Sequence, residues 1–128
     1  MTDCSCSCTC SSGPLLVLPC AGGSNVGQIS NSAAIEMDKQ GKAKVYCLIG
    51  MAAHISGMVD TAKSASGVVA IDGCQVACAK EALDHIGIPI SQHIIITELG
   101  VEKNHLFDWT DEQIEKVIDA VTVNIPMK

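Results

Sequence analysis

The sequence predicts a three-layer α/β domain, with a four-stranded, mainly parallel sheet between two layers of helices, Rossmann-like or flavodoxin-like in wiring. Three observations predict it. Short apolar runs without polar alternation recur at Leu15–Leu18, Val45–Ile49, Val68–Ile71 and His93–Thr97. Strands that are apolar on both faces belong in parallel sheets covered by helices on both sides. Between these runs lie segments whose apolar residues fall three and four apart, the spacing of one helix face. Finally, hydrophobic residues make up 48% of the 128 residues and aromatics only 2%, which allows one domain with an aliphatic core.

The elements follow in order. Residues 1–13 form a head in which Cys4, Cys6, Cys8 and Cys10 alternate with Ser and Thr. It offers nothing to bury, so disorder is expected there without a ligand. Residues 14–128 form the single domain. Leu15–Leu18 is its first strand, followed by a turn with Cys20, Gly22 and Gly23. Ser24 or Asn25 caps a helix carrying Val26, Ile29, Ala33 and Met37 on one face, and Gly41 ends it. Val45-Tyr46-Cys47-Leu48-Ile49 reads as the second strand. Gly50 to Ser66 is helical from about Met51, with Gly57 its weak point. Val68–Ile71 is the third strand, with Gly73 allowing a tight turn after it. Cys78 to Ile86 is a helix closed by Gly87 and Pro89, and His93–Thr97 is the fourth strand. A loop with Trp109 leads to Thr110 and Gln113, the two ends of a capping box. Ile114, Val117, Ile118 and Val121 then mark the last helix.

The charge balance narrows the function. Eight Lys+Arg against 14 Asp+Glu give a net charge of −6. Without a basic cluster or an aromatic platform, an acidic surface does not suit nucleic acid. No apolar run reaches the roughly 18–20 residues of a membrane span. Leu15–Leu18, bounded by Pro14 and Pro19, is too short for a signal sequence, and a cytoplasmic location is expected. In a reducing compartment, eight cysteines read as metal ligands or redox groups rather than as disulfides.

Four of those cysteines share a place in the predicted fold. Cys20 follows the first strand and Cys47 lies near the end of the second. Cys74 follows the third strand, and Cys78 starts the helix after it. Ligands of such sheets bind beyond the carboxyl ends of the strands, so all four map to one edge. Four thiolates suit a tetrahedral zinc ion. The alternative is that they are ordinary buried cysteines, and Cys47, inside an apolar strand, is the most exposed to that reading.

The remaining candidates carry less. The turn Cys20-Ala21-Gly22-Gly23-Ser24-Asn25-Val26-Gly27 has the layout of a phosphate cradle but no P-loop lysine, and reads as a tight turn with a helix cap. Its N–H groups can hydrogen-bond a Cys20 thiolate and lower its pKa. Asp72 supports the turn or a ligand from behind. His54 is a fifth candidate ligand or a proton donor, or else a helix-surface residue. His85 suits a helix C-terminus. His93 and His105 have no evident partner. The C-x-C steps of the head can chelate a soft metal and deliver it to the core, or belong to a tolerated terminus.

Taken together, the Cys-x-Gly-x-Ser-Asn-x-Gly run at Cys20–Gly27, the central Cys47, and Asp72-Gly73-Cys74 with Cys78 resemble the DGC-domain family of zinc-binding proteins. The resemblance runs from Leu15 to about Val121. It implies a zinc ion as cofactor on Cys20, Cys47, Cys74 and Cys78, and it implies no particular reaction. The Cys-rich head is not part of the family pattern. The leading expectation is therefore a zinc-binding protein whose partner is the metal ion. One alternative is a redox or sulfur-transfer enzyme with Cys20 as nucleophile and Cys74 and Cys78 as resolving thiols. The other is an iron–sulfur protein.

Overall fold

The structure is a computed structural model that describes residues 13–122. The disorder expected of the head therefore falls, apart from Gly13, outside the described residues. The chain runs β1 (Leu15–Pro19), α1 (Asn25–Lys39), β2 (Lys44–Val45), α2 (Leu48–Ala52), α3 (Ser56–Lys63), β3 (Gly67–Asp72), α4 (Cys78–His85), β4 (Gln92–Ile95), a 3-10 turn (Ile96–Leu99) and α5 (Asp111–Ala120).

The four strands form one all-parallel sheet in the order β2-β1-β3-β4. This is the flavodoxin-like order, in which the chain switches direction between β1 and β3. Those two strands pair along their length, from Leu15 opposite Gly67 to Pro19 opposite Ile71. They are the central pair, which explains why both read as apolar on two faces. Leu15 and Val17 join α1 and α5 on one side, through Ile29, Met37 and Val117. Leu16 and Leu18 join the other side with Met51 of α2, Ala62 of α3 and Leu83 of α4. The three layers thus hold two aliphatic cores, one on each face of the sheet.

The helix ends follow local chemistry. Ser24 caps α1, its hydroxyl accepting from the Gly27 N–H at 3.2 Å. Gly41 ends that helix with φ of 75°, a left-handed conformation that favours glycine. Thr110 and Gln113 form the reciprocal capping box of α5. Among the described residues, no helix is long and apolar enough to cross a membrane.

Three expected elements differ in extent. The second strand stops at Val45. The Tyr46 N–H still reaches the Val17 carbonyl at 3.0 Å, after which the chain leaves the sheet edge. Cys47 is the N-cap of α2 and is exposed, not buried in a strand. Within Tyr46–Ile49 only Tyr46 and Leu48 pack on the helical layer while Cys47 and Ile49 are exposed, and a short apolar run does not by itself distinguish a strand from a helix.

The helix expected after Gly50 is two helices. The break lies at His54, which is left-handed with φ of 59°, and at Ile55, while Gly57 sits inside the first turn of α3. The fourth strand ends at Ile95. Beyond it the Thr97 N–H bonds the Gly73 carbonyl at 3.1 Å, which curls Ile96–Leu99 toward the loop after β3.

Candidate functional site

A cavity of about 640 Å³ opens at the carboxyl end of the sheet, where β1 and β3 part. Cys20, Cys47, Cys74 and Cys78 all line it. Each arrives from a different local structure. Cys20 leaves β1 with its N–H bonded to the Ile71 carbonyl at 2.9 Å, which carries the β1–β3 ladder one step further. Cys47 caps α2. Cys74 sits in the loop after β3, and Cys78 is the first residue of α4. Cys20 and Cys74 are partly buried, and Cys47 and Cys78 are exposed.

The wall between Cys20 and Cys74 is tightly built. The Gly73 N–H donates to Cys20 Sγ at 3.2 Å. A Cβ on Gly73 would lie 2.7 Å from the Val26 carbonyl carbon and 2.8 Å from the Gly27 nitrogen, so only glycine lets β3 pass this close to the start of α1. Gly27 in turn has the Gly22 backbone against it, where a Cβ would stand 2.7 Å from the Gly22 nitrogen. The glycines of the turn therefore fit backbone to backbone around Cys20.

The expectation that the turn lowers the Cys20 pKa is corrected. Burial pushes the Cys20 thiol above its ordinary value, and the Asp72 charge adds to the rise. The Gly73, Ser30 and Gly22 hydrogen bonds only partly offset them.

Asp72 is buried at the end of β3. Its Oδ1 accepts from the Ala79 N–H at 2.7 Å and its Oδ2 from the Lys80 N–H at 3.1 Å. The His93 Nε2 lies 2.7 Å from the same Oδ2. His93 thus has a partner, one that sequence spacing did not reveal. Its position follows from the sheet: His93 pairs with Ala70 in the β3–β4 register, and Ala70 and Asp72 face the same side. That register between strands distant in sequence is not written in either segment.

The loop after the 3-10 turn supplies the other wall. The Asn25 side chain holds it by donating to the Glu102 carbonyl at 2.9 Å and accepting from the Asn104 N–H at 2.6 Å. The Asn25 N–H donates to the Asn104 carbonyl at 2.9 Å. This brings Lys103 and His105 to the cavity, and Lys103 Nζ lies 3.5 Å from Cys74 Sγ. The sequence offered His105 without a partner and did not single out Lys103, since the docking of this loop on Asn25 is written in no local pattern. His54 packs its ring against His85, with centroids 5.1 Å apart. His85 ends α4 while Cys78 begins it, about 10 Å along the axis, and neither histidine lines the cavity.

The four cysteines line one space without being drawn around one point. Among the described residues, no three of His, Cys, Asp and Glu are grouped closely enough to hold one ion. The donor set suits a soft or borderline metal, with an ammonium group beside one sulfur to balance thiolate charge.

The sequence model of the DGC domain matches residues 16–121. The anaerobic and virulence modulator AnvM of Pseudomonas aeruginosa is 29% identical over 102 residues, covering 80% of this chain and 78% of that protein. No solved structure matches.

Proposed function

We propose that this chain, which belongs to the DGC domain family, is a metal-binding protein that takes up a zinc ion on Cys20, Cys47, Cys74 and Cys78. One observation carries the reading: all four thiols line a single cavity at the switch point of the sheet. That is where this architecture takes its ligands. Zinc suits four thiolates and would tie β1, α2 and the β3–α4 turn together. A closed shell of four thiolates leaves no open position for a bound water, so the reading favours a structural, storage or regulatory site over hydrolysis. Binding would require the cavity walls to draw in. Cys47, exposed at the start of a five-residue helix, is on the wall best able to move. The Pseudomonas relative is named a modulator, and a metal-responsive thiol site would suit a regulatory part here as well.

The thiol-enzyme alternative draws less support. An attacking thiol near neutral pH benefits from a lowered pKa, and burial moves Cys20 the other way. An iron–sulfur cluster would use the same four thiols, and one experiment separates it from zinc.

The full chain is purified without oxygen, alongside a variant with Cys4, Cys6, Cys8 and Cys10 replaced by Ser. Zinc, iron and acid-labile sulfide are then measured. The expected result is about one zinc per chain retained without the head thiols. Zinc should also raise the stability of that variant, by about 2.7 kcal/mol at a hundredfold excess over Kd. Adding Cys74→Ser should remove most of that increment. A full zinc-induced shift in the Cys74→Ser protein would overturn the site, and iron with stoichiometric sulfide would replace zinc by a cluster.

A further inference from the structure

Asp72 lines the cavity at the end of β3 with His93 set against it, and the metal reading gives neither a task. Their geometry nevertheless bears on two of the four thiols. The loop Gly73–Ala77 connects β3 to α4 and carries Cys74 near its start, with Cys78 immediately after its end. Its path is constrained by a left-handed residue, Ala77, with φ of 57° and ψ of 49°. That conformation costs a residue with a Cβ free energy, and it persists only where the surroundings enforce it. Ala77 is also the N-cap position of α4 and has no side chain with which to cap the helix.

Asp72 does both jobs from outside the loop. Its Oδ1 takes the Ala79 N–H and its Oδ2 the Lys80 N–H, the second and third residues of α4. These are the donors that a capping side chain would ordinarily satisfy. One carboxylate thereby ties the two ends of the loop together. It directly precedes Gly73-Cys74 on one side and grips the residue next to Cys78 on the other.

What fixes the carboxylate is His93. An ionised carboxylate only accepts, so across this contact the imidazole is the donor, from Nε2. The Asp72 side chain is 1% exposed and the His93 side chain 18%. The bond is thus largely out of water, where a charge-assisted hydrogen bond is strong.

We propose that Asp72 and His93 are positioning residues for the thiol site: His93 orients the Asp72 carboxylate, and the carboxylate sets where Cys74 and Cys78 present their sulfurs to the cavity. Neither residue is one of the four proposed ligands. Cys20 and Cys47 are placed by other elements, so the device acts on half of the thiol set. The proposal rests on the metal reading only for its consequence in zinc affinity.

The test separates the two. Metal-free full chain, held in chelator and reductant, is labelled with limiting iodoacetamide. Peptide mass spectrometry reads modification of Cys74 and Cys78 relative to Cys47 in the same sample. His93→Leu removes the donor and is expected to change that ratio by roughly tenfold. His93→Gln, which can still donate a side-chain N–H, should restore most of the original ratio. A role confined to general stability would shift all three cysteines alike, leaving the ratio where it was. An unchanged ratio in a His93→Leu protein with native circular dichroism overturns the proposal. Should His93→Leu fail to fold, Asp72→Asn is read in the same way, and an unchanged ratio there has the same meaning. In a second arm, zinc affinity is measured by competition with a chelator. His93→Leu should weaken it by about ten- to a hundredfold. If wild-type protein binds no zinc, the metal reading falls while the labelling ratio still decides the positioning role.

Discussion

Cys20 lies under two opposing influences. The Gly73 N–H stabilises its thiolate, and burial destabilises it more. Its thiol therefore stays protonated to a higher pH than a free cysteine. In chelator at pH 7.5, iodoacetamide should modify the exposed Cys47 well before Cys20, and the Cys20 rate should keep climbing above pH 9. Peptide mass spectrometry over a pH series checks this, and equal rates for the two cysteines would contradict it. The sign for stability follows. The unfolded chain gives up the Cys20 proton first, so unfolding gains from rising pH. The contribution is intact below the ordinary thiol pKa and is lost as pH climbs toward the raised folded value. The metal-free protein should thus have a falling urea midpoint through the alkaline range.

At the scale of elements, the Asn25 side chain holds the loop at Glu102–Asn104 by both of its ends. Asn25→Ala would leave the Glu102 carbonyl and the Asn104 N–H without their side-chain partner. An unpaired, partly buried polar group costs about 1–3 kcal/mol. The cost should appear as local opening, with trypsin cutting after Lys103 roughly tenfold faster while the urea midpoint moves less. Uniform digestion across the lysines would refute a local effect. The same element shows what was legible in the sequence. β1 and β3 were readable because central parallel strands are apolar on both faces. The caps at Ser24 and Thr110 were readable because capping is local chemistry. The crossing of Tyr46–Ile49 from sheet to helix was not, because one apolar run serves either structure. For the site, the cysteines could be gathered at one edge from strand order alone. Lys103, His105 and the Asp72–His93 pair could not, since each depends on register or docking between segments far apart in the chain.

For the whole molecule, the two aliphatic cores are built, among the described residues, from Leu15 to Val121, and the sequence of the Cys-rich head offers nothing to bury. Deleting residues 1–12 should change the unfolding free energy by no more than about 0.5 kcal/mol, as for surface changes remote from any structural feature. Total zinc capacity should fall. A large drop in the urea midpoint would mean that the head packs on the domain.

The strand order has a consequence for biosynthesis. Cys20 meets the Gly73 N–H across 53 residues of chain, and Asn25 closes on Asn104 across 79. Parallel neighbours cannot pair through a hairpin, so no part of the cavity stands complete early in translation. At roughly 5–20 residues per second, a ribosome needs several seconds to travel from Cys20 to Asn104. Through that interval the core thiols leave the exit tunnel one after another, each unshielded by the others. Cys4, Cys6, Cys8 and Cys10 have left before any of them. The head's thiols therefore emerge ahead of the core's, and the domain's own thiols come together only after the loop at Asn104 has been made.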